Sequence, residues 1–466
     1  MVFSSLSFLF FFFPLVTLSY FLCRKRTVRN AVLLLFSLFF YSWGEPRFLA
    51  VMIVSSMLGW LSGLLIDRYR DKPGAARWMM ILSVSLLLAI LFFFKYLNFA
   101  VDTAGKIFGI PISVPRVFLP IGISFYTFQI LSYVIDLYRG KVSPQRNPLR
   151  FLLYASFFPQ LIAGPIVRYA TIENELVQRQ ECLEDVCEGL KQFILGLGKK
   201  LILANQAAAI SELIYTGNPE IYGTAMYWLA ALCYSFQIYF DFSGYSDMAI
   251  GLGRIFGFHF PENFDHPYLA ESLTDFWRRW HISLGTWFRD YVYIPLGGNR
   301  VRAGKWMLNV MLVWALTGLW HGAGWNFVFW GMLNGLVLIA EKRFLLRWME
   351  RVPGWVRILT TFLFVTVSWV CFNLTDVSQL RLALEMMFSL HRTDWLGVLA
   401  SDAAITAAWL FVPLCFVCCF PWLSRIRPAE TPAAEMLQCV LWLALFGVCI
   451  MVMISSTYNP FIYFRF

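Results

Sequence analysis

Apolar residues follow one another in long continuous runs along this chain, and polar residues collect in the short segments between the runs. The first run, Leu6 to Leu22, contains no charged residue and is followed by Arg24, Lys25 and Arg26. A helix that crosses a bilayer core about 30 Å thick needs roughly 20 mostly apolar residues, and such runs recur over the whole length. Because the runs are continuous and not alternating, they predict spanning helices and not the strands of a membrane barrel.

The pattern therefore predicts an all-α polytopic membrane protein with about 11–12 transmembrane helices. In the second half of the chain, the predicted spans lie near residues 193–215, 222–249, 307–320, 325–341, 355–375, 402–422 and 435–455. Earlier, the apolar segment from Phe151 to Ile166 is broken by Pro159, Gly164 and Pro165, which disfavour a continuous helix. We predict a re-entrant or half-spanning segment there, lined by protein.

Basic residues divide the loops into two groups, because Lys and Arg concentrate on the cytoplasmic side of membrane proteins. The loops at 24–30, 67–77 and 139–150 each hold four basic residues, whereas the turn at 44–47 holds one. Followed along the whole chain, this alternation predicts that both termini lie on the extracytoplasmic side.

Composition agrees with a membrane protein and narrows its partners. Of the 466 residues, 59% are hydrophobic and 14% charged, whereas a typical soluble domain has about 25% charged residues. The net charge is +10, but the basic residues are scattered through short loops, so membrane lipid is an expected partner and nucleic acid is not. The ten cysteines lie mostly in apolar runs. Their one tight cluster, at residues 415–419, has no histidine nearby, so no metal site is expected. No long linker or repeat divides the chain, and we expect one membrane-embedded domain over residues 1–466.

A histidine enters the membrane in the segment from Thr317 to Asn326, among aromatic residues and glycines. Burial keeps an imidazole neutral, and a neutral imidazole can accept a proton as a general base, so His321 is a candidate catalytic residue. We expect the glycines beside it, Gly318 and Gly322, to let a substrate approach closely. The alternative is a histidine that only forms a hydrogen bond between helices.

Two carboxylates with interleaved aromatic residues form a second polar segment, from Tyr239 to Asp247. Asp241 and Asp247 are candidates for a proton relay or an ion site, because intramembrane acids often mark such pathways. They are equally suited to capping or bridging helices, and the sequence leaves both readings open.

The segment from Asp275 to Arg289 is rich in both tryptophan and arginine, as is typical of a cytoplasmic helix at the membrane interface. Its arginines, Arg278, Arg279 and Arg289, are candidates for binding the phosphates of a cytosolic cofactor, with His281 close to them. Anchoring to lipid headgroups is the alternative for each arginine.

In these segments the chain resembles the membrane-bound O-acyltransferases, in the bacterial branch that O-acetylates extracytoplasmic polysaccharides such as alginate or peptidoglycan. The resemblance covers nearly the full length. It rests on Met1 to Ser5, Leu119 to Phe128, Ile162 to Pro165, Tyr239 to Asp247, Phe276 to Ser283, Asp290 to Arg300 and Leu319 to Gly322, in this order.

The resemblance implies a ring of helices around a central tunnel, with acetyl-CoA as a cytosolic donor substrate and no permanently bound cofactor. His321 matches the family's essential histidine, and His281 matches its second motif position. Trp280 joins the three arginines as a donor-binding candidate. The expected tunnel-lining residues are Tyr239, Asp241, Ser243, Asp247, Trp320 and Asn326.

The last residues, 456–466, form an aromatic tail that we expect to be extracytoplasmic, and it contains Tyr463. It resembles the acyl-transfer tail of polysaccharide acylation systems with several components. The resulting hypothesis is that His321 deprotonates Tyr463, whose phenolate attacks the thioester and then passes the acetyl group on. An interfacial anchor is the alternative for this tyrosine.

The favoured interpretation is thus an acetyltransferase of the bacterial inner membrane. Its expected partner is a periplasmic, SGNH-like O-acetyltransferase or another polysaccharide-modification protein, which would complete delivery to an exopolysaccharide or a cell-wall polymer. Two alternatives stay open: a multipass transporter or flippase that uses an intramembrane Asp and His relay, and D-alanyl transfer to teichoic acids within the same family.

Overall fold

The structure is a computed structural model, and it describes residues 1–109, 114–396, 398, 403–421 and 431–455. Regular structure in these ranges is helical, apart from one isolated antiparallel bridge between Phe264 and Trp280. The chain forms two compact units, one of Met1–Phe193 with Tyr245–Glu262, the other of Ile194–Gly244 with Asn263–Phe466.

The first helices in chain order are α1 (Phe13–Leu22), α2 (Arg26–Gly44), α3 (Leu49–Arg68), α4 (Pro73–Leu91), α5 (Leu97–Phe108), α6 (Ile123–Tyr138), α7 (Pro148–Ser156), α8 (Tyr169–Ile172), α9 (Leu183–Gly198) and α10 (Asn205–Thr216). They are followed by α11 (Pro219–Ile255), α12 (Leu273–Arg279), α13 (Ile282–Phe288), α14 (Ala303–His321), α15 (Trp325–Ala340), α16 (Leu346–Met349), α17 (Gly354–Asn373), α18 (Val377–Phe388), α19 (Ala403–Cys419) and α20 (Pro432–Ser455).

Several helices contain or adjoin a π-helical turn, in which the backbone hydrogen bonds widen and one extra residue is accommodated. These turns are Phe8–Phe12, Phe92–Tyr96, Lys199–Ala204, Arg289–Tyr293 and Glu341–Leu345. Such turns occur frequently at functional sites, because they re-aim side chains without ending the helix.

The helices meet the length that a bilayer requires in five places within the described residues. These helical stretches are Pro46–Arg68, Pro73–Phe108, Leu183–Thr216, Gly354–Asn373 and Pro432–Ser455. Each span predicted for the second half of the chain coincides with a helix, although some of these helices are shorter than a full crossing. The all-α, polytopic class predicted from the sequence is confirmed.

The first unit is held together by aromatic side chains and by close helix contacts. Phe3 packs on Phe8 and Phe40 with ring centroids 5.0 and 5.6 Å away. A Cβ added to Gly59 in α3 would lie 2.2 Å from the Ile130 side chain of α6, so glycine is required for that approach. In the segment predicted to be re-entrant, α7 ends at Ser156, and buried non-helical turns continue to Ile166.

The second unit has a core in which tryptophan is unusually frequent. Trp330 and Trp369 are fully buried and stack with their ring centroids 5.7 Å apart. Trp280 packs against Trp369 at 4.9 Å and against Phe276 at 5.6 Å. These large rings bring α12, α15 and α17 together, and they surround the residues that carry the chemistry.

Candidate active site

A tight connection joins the two short helices α12 and α13, and the segment from Asn263 to Asp265 forms hydrogen bonds with it. The bridge between Phe264 and Trp280 is flanked by two backbone hydrogen bonds, Asp265 N to Arg279 O at 3.0 Å and Ile282 N to Asn263 O at 3.0 Å. His281 lies between the helices with φ +46° and ψ +55°, the left-handed region that non-glycine residues rarely adopt. Strained backbone of this kind concentrates at active sites and ligand clamps.

A cavity of about 520 Å³ opens beside this connection, within the second unit. His281 and His321 both line it, although 40 positions separate them in sequence. The other lining residues are Thr274, Trp277, Arg278, Trp280, Ile282, Leu284, Gly285, Thr286, Phe288, Arg289, Tyr293, Trp306, Val310, Val313, Trp314, Thr317, Leu338 and Lys342. The cavity therefore combines two imidazoles, three cationic side chains and an otherwise apolar, aromatic wall.

His281 is 2% exposed and is held by a polar network. Its Nδ1 lies 3.1 Å from Oδ1 of Asn263, and the same oxygen accepts hydrogen bonds from Ser283 N at 3.1 Å and Ser283 Oγ at 2.8 Å. Burial, followed by the nearby His321, lowers the pKa of His281 well below its ordinary value. The ring is therefore neutral at physiological pH.

His321 is the last residue of α14 and is 6% exposed. Three aromatic rings meet its imidazole edge-on, with the Trp320, Trp330 and Phe372 centroids 4.9, 5.4 and 5.3 Å away. Trp320 also packs against His281 at 5.6 Å, so one indole contacts both imidazoles. The imidazole is thus enclosed by aromatic rings on several sides, and it also lines the cavity.

The glycines beside His321 act differently from the expectation. A Cβ on Gly318 would lie 2.2 Å from the carbonyl oxygen of Phe327, and a Cβ on Gly322 would lie 2.2 Å from the Phe327 ring. The space at both positions is filled by α15 and not by a substrate. The prediction that they admit a substrate was wrong, because the close helix packing already requires glycine there.

Three cations line the cavity: Arg278, Arg289 and Lys342. Arg278 and Arg289 are exposed on their outer side, and Arg289 forms an ion pair of 2.8 Å with Asp290. Arg279, predicted together with them, does not line the cavity and pairs with Asp275 at 3.0 Å. Trp280 does line it, as part of the tryptophan cluster.

The cavity is not lined by four further residues that were predicted for the site: Tyr239, Asp241, Ser243 and Asn326. Tyr239 is buried with its ring 6.1 Å from that of Trp280, and Ser243 is buried on the same helix. Asp241 forms an ion pair of 2.6 Å with Lys200. Asn326 is half-buried in the first turn of α15.

Asp247 and Tyr463 are the last two predicted positions. Asp247 is half-buried in the part of α11 that belongs to the first unit. Tyr463 lies outside the described residues, as does the rest of the tail 456–466.

Sequence reasoning missed three residues that the structure brings into this region: Asn263, Lys342 and Lys200. Lys342 directly follows the predicted span near 325–341, where a basic residue is ordinarily a signal of topology. Asn263 precedes Phe264 in a proline-flanked loop, where an asparagine is ordinarily a turn residue. Lys200 is followed by apolar residues, and an intramembrane lysine was itself a signal that a carboxylate partner should be sought.

Known proteins match the part of the chain that contains the cavity residues. The family model of the membrane-bound O-acyltransferase family matches residues 141–377, which include both histidines. A probable alginate O-acetylase of Pseudomonas putida is 39% identical over 492 aligned positions, which cover 100% of both chains. A peptidoglycan O-acetyltransferase of Helicobacter pylori is 33% identical over 430 positions, covering 84% of this chain and 80% of the relative.

A teichoic acid D-alanyltransferase of Bacillus subtilis is 30% identical over 271 positions, which cover 54% of this chain and 67% of that protein. The resemblance stated from the motifs is thereby confirmed, and the chain is an enzyme, which removes the transporter alternative. The chain belongs to the membrane-bound O-acyltransferase family, in its O-acetyltransferase branch.

Proposed function

We propose that this protein takes an acetyl group from cytosolic acetyl-CoA and passes it across the bacterial inner membrane for the O-acetylation of an extracytoplasmic polysaccharide. The observation that carries the proposal is that His281 and His321 line one cavity together with cationic and aromatic side chains. Residues 1–466 act in this proposal as one membrane-embedded acyltransferase domain, with both termini extracytoplasmic.

The donor is assigned from the charge on the cavity wall. Arg278, Arg289 and Lys342 present three positive charges on one cavity, and guanidinium and ammonium groups are the side chains that bind phosphates. The remaining wall is apolar, which suits the uncharged arm of acetyl-CoA. A cofactor with several phosphates stays in the cytosol, so only its acetyl end needs to reach His321.

In the proposed transfer step, Tyr463 of the tail is the first acceptor of the acetyl group. The ring of His321 accepts the phenol proton of Tyr463, and the phenolate oxygen attacks the thioester carbonyl. A C–O bond forms, the C–S bond breaks, and the thiolate takes the proton from the imidazolium, which gives free coenzyme A and O-acetyltyrosine. A partner's nucleophile then removes the acetyl group from Tyr463, which restores the phenol.

The base is needed because a free phenol has a pKa of about 10. A neutral imidazole is the form that accepts a proton, and the proposal assigns that role to His321. The partner is a periplasmic transferase of the SGNH-like type or another polysaccharide-modification protein, because the acceptor polymer lies outside the membrane.

The polymer class follows from the relatives' names, which are alginate O-acetylase and peptidoglycan O-acetyltransferase. We therefore propose a uronic-acid exopolysaccharide or a cell-wall glycan as the final acceptor. D-alanyl transfer is disfavoured, because the D-alanyltransferase relative matches about half of the chain and the alginate O-acetylase matches all of it.

The donor half of the proposal is tested with the purified protein in proteoliposomes and acetyl-labelled acetyl-CoA. We expect thioester cleavage by the unmodified chain and its loss in His321→Ala, whereas His391→Ala, at an exposed histidine, should keep full activity. Cleavage that persists in His321→Ala would exclude the assigned base. No cleavage by the unmodified chain would contradict acetyl-CoA as the donor.

The relay half is tested on the tail. We expect acetyl on Tyr463 by mass spectrometry after the same incubation, and no polymer acetylation in Tyr463→Phe when the partner system is present. Full polymer acetylation by Tyr463→Phe would exclude the relay and leave direct transfer from the donor to the partner.

The assignment of the cations is tested by comparing neighbours on one helix. Arg278→Gln should raise KM for acetyl-CoA, with a smaller effect at high salt because screening already weakens the phosphate contact. Arg279→Gln is the matched control, since Arg279 does not line the cavity. An equal change in KM for both variants would contradict a phosphate contact at Arg278.

A further inference from the structure

We propose that Asn263 is a positioning residue that holds the His281 ring with its proton on Nδ1 and its Nε2 free to accept a proton in the cavity. The inference rests on the proposed function, because that function gives Nε2 its role toward a substrate in the cavity. The geometry itself comes from atoms that all lie in the second unit.

The orientation of the Asn263 amide is fixed by a donor that cannot be reversed. The backbone N–H of Ser283 lies 3.1 Å from Oδ1 of Asn263, and a backbone N–H can only donate. The atom at that position is therefore the carbonyl oxygen, which has no proton to give. Nδ1 of His281 lies 3.1 Å from the same oxygen, so Nδ1 must carry the proton.

In a neutral imidazole one nitrogen donates and the other accepts, so Nε2 of His281 is the acceptor. Nε2 is buried, and no group in the described part of the chain forms a hydrogen bond with it. His281 lines the cavity, and in our proposal this nitrogen is the acceptor that the ring offers to a bound group. The same logic governs metal-binding and catalytic histidines, whose tautomer is set by the bond on the other ring nitrogen.

The backbone holds Asn263 and His281 in register. The carbonyl oxygen of Asn263 accepts a hydrogen bond from Ile282 N at 3.0 Å, next to the bridge between Phe264 and Trp280. Asn263 thus contacts three consecutive residues, 281 to 283, through its main chain and its side chain. The left-handed backbone of His281 is stabilised by these contacts, and a flip of its ring would break the contact between Nδ1 and Asn263 Oδ1.

The charges that face His281 come from several elements. His321 at the end of α14 is the second histidine of the cavity, and Arg278, Arg289, Lys342 and Tyr293 line it as well. From α11, Phe242 packs edge-on against the His281 ring at 4.6 Å, next to Asp241, whose charge is paired with Lys200. The charged side chains that line the cavity are thus all cationic, and they oppose a positive charge on His281.

A neutral His281 has a direct consequence for His321. Two imidazolium ions in one low-dielectric cavity repel each other, so a protonated His281 would oppose proton uptake by His321. The Nδ1–H tautomer, held by an uncharged amide, keeps His281 neutral and able to accept a hydrogen bond from substrate. An amide is suited to this purpose, whereas a carboxylate would stabilise the imidazolium.

The experiment uses Asn263→Asp, which keeps the shape and the accepting oxygen and adds a negative charge. The carboxylate should raise the pKa of His281, so the acid limb of the kcat profile should move to higher pH by about one to three units. Ser283→Ala is the matched control, because it removes a hydroxyl that lies 2.8 Å from the same oxygen and 3.4 Å from Nδ1, but adds no charge and keeps the contact between Nδ1 and Asn263 Oδ1. Its acid limb should stay within about 0.3 of a unit of the unmodified enzyme's.

An acid limb that does not move in an active Asn263→Asp enzyme would overturn the proposal, as would a fall in kcat by the same factor at every pH. These results differ from a failure of the proposed function, which would appear as no acetyl-CoA cleavage by the unmodified chain. A second measurement does not use Asn263→Asp, so it does not depend on the folding or the activity of that variant. Nitrogen-15 NMR of the histidine-labelled protein, with the His281 signals assigned by difference against His281→Gln, should show protonated Nδ1 and bare Nε2; the opposite tautomer would overturn the proposal.

Discussion

Lys200 and Asp241 form an ion pair of 2.6 Å with side chains that are 3% and 2% exposed. Lys200 lies in the π turn Lys199–Ala204, and Asp241 lies on α11 directly before Phe242, whose ring contacts His281. The carboxylate that the sequence suggested for a relay is therefore paired with a cation one residue from the site. This arrangement favours the bridging alternative over an open proton path.

Removing one partner of this pair should be far more costly than removing both. Asp241→Asn leaves the Lys200 ammonium buried without its counter-charge, and breaking a buried pair in this way costs about 3–5 kcal/mol. We expect a large fall in thermal stability in detergent and an aggregated fraction on size exclusion. Thermal unfolding followed by tryptophan fluorescence measures the change.

The double variant Lys200→Met with Asp241→Leu is the control, since apolar replacement of a buried pair is often neutral. It should recover most of the lost stability. If the single and the double variant unfold at the same temperature, the charge pair is not what stabilises the contact between the π turn and α11.

Glu341 supports α12, the helix that carries the cavity residue Arg278. Its carboxylate accepts hydrogen bonds from Leu273 N and Thr274 N, each at 2.7 Å, and from the Thr274 hydroxyl. These are the free N–H groups of the first turn of α12, so the buried carboxylate supports the N-terminus of that helix. Trp277, Arg278 and Trp280 follow within two turns.

We expect Glu341→Gln to raise KM for acetyl-CoA several-fold and to change kcat little. The glutamine amide keeps one accepting oxygen but presents an NH₂ group to the second N–H, which leaves that donor unsatisfied at a cost of about 1–3 kcal/mol. Glu350→Gln, on the same stretch but exposed, should change neither constant. Steady-state kinetics in proteoliposomes decides, and a fall confined to kcat would show that α12 does not position the donor.

The fold class followed from the sequence because membrane burial leaves a strong one-dimensional signal. Apolar runs of span length predicted α14, α15 and α17 within a few residues, and the breaks at Pro159 and Gly164 lie in the non-helical segment that follows α7. Helix ends were less accurate where a π turn extends a helix past its apolar run, as at Glu341–Leu345.

The site was predicted in part, and the missing residues share a cause. His281 and His321 were singled out because ionisable groups in apolar surroundings are costly, and both line the cavity. Asn263 and Glu341 act through hydrogen bonds to residues 18 to 68 positions away, and no local pattern encodes such pairings. Gly318 was misread for the same reason, since the carbonyl of Phe327 that fills its space becomes adjacent only when α14 and α15 pack.

A carboxylate in the first unit should give the protein an acid limit of stability. Glu181 forms ion pairs with Arg26 and Arg29 and accepts a hydrogen bond from the Tyr20 hydroxyl. Burial alone would raise the pKa of Glu181, but its hydrogen bonds to Arg26 and Tyr20 outweigh burial and hold the pKa below its ordinary value. The folded state thus binds this proton more weakly than the unfolded state does.

Because the pKa of Glu181 is lower in the folded state, its contribution is present above the unfolded pKa of about 4.3 and is lost as pH falls through the lower folded value. We expect the unmodified protein to lose thermal stability below about pH 4.5 more steeply than Glu181→Gln, which is less stable at neutral pH but lacks this titration. Thermal unfolding between pH 3 and pH 7 in detergent measures both. Parallel pH curves for the two proteins would show that the pairs with Arg26 and Arg29 do not contribute.

The contact between α14 and α15 should tolerate no added methyl group at Gly331. A Cβ there would lie 2.2 Å from the carbonyl oxygen of Trp314, so Gly331→Ala forces the two helices apart. Since overpacking costs about 1–3 kcal/mol and His321 ends α14, we expect both a lower unfolding temperature and a loss of acetyl-CoA cleavage of at least about tenfold. Gly304→Ala, in α14, meets open space and should be neutral or slightly stabilising, because alanine favours the helix. If Gly331→Ala lowered stability and left cleavage unchanged, the packing of α14 on α15 would not be what positions His321 in the cavity.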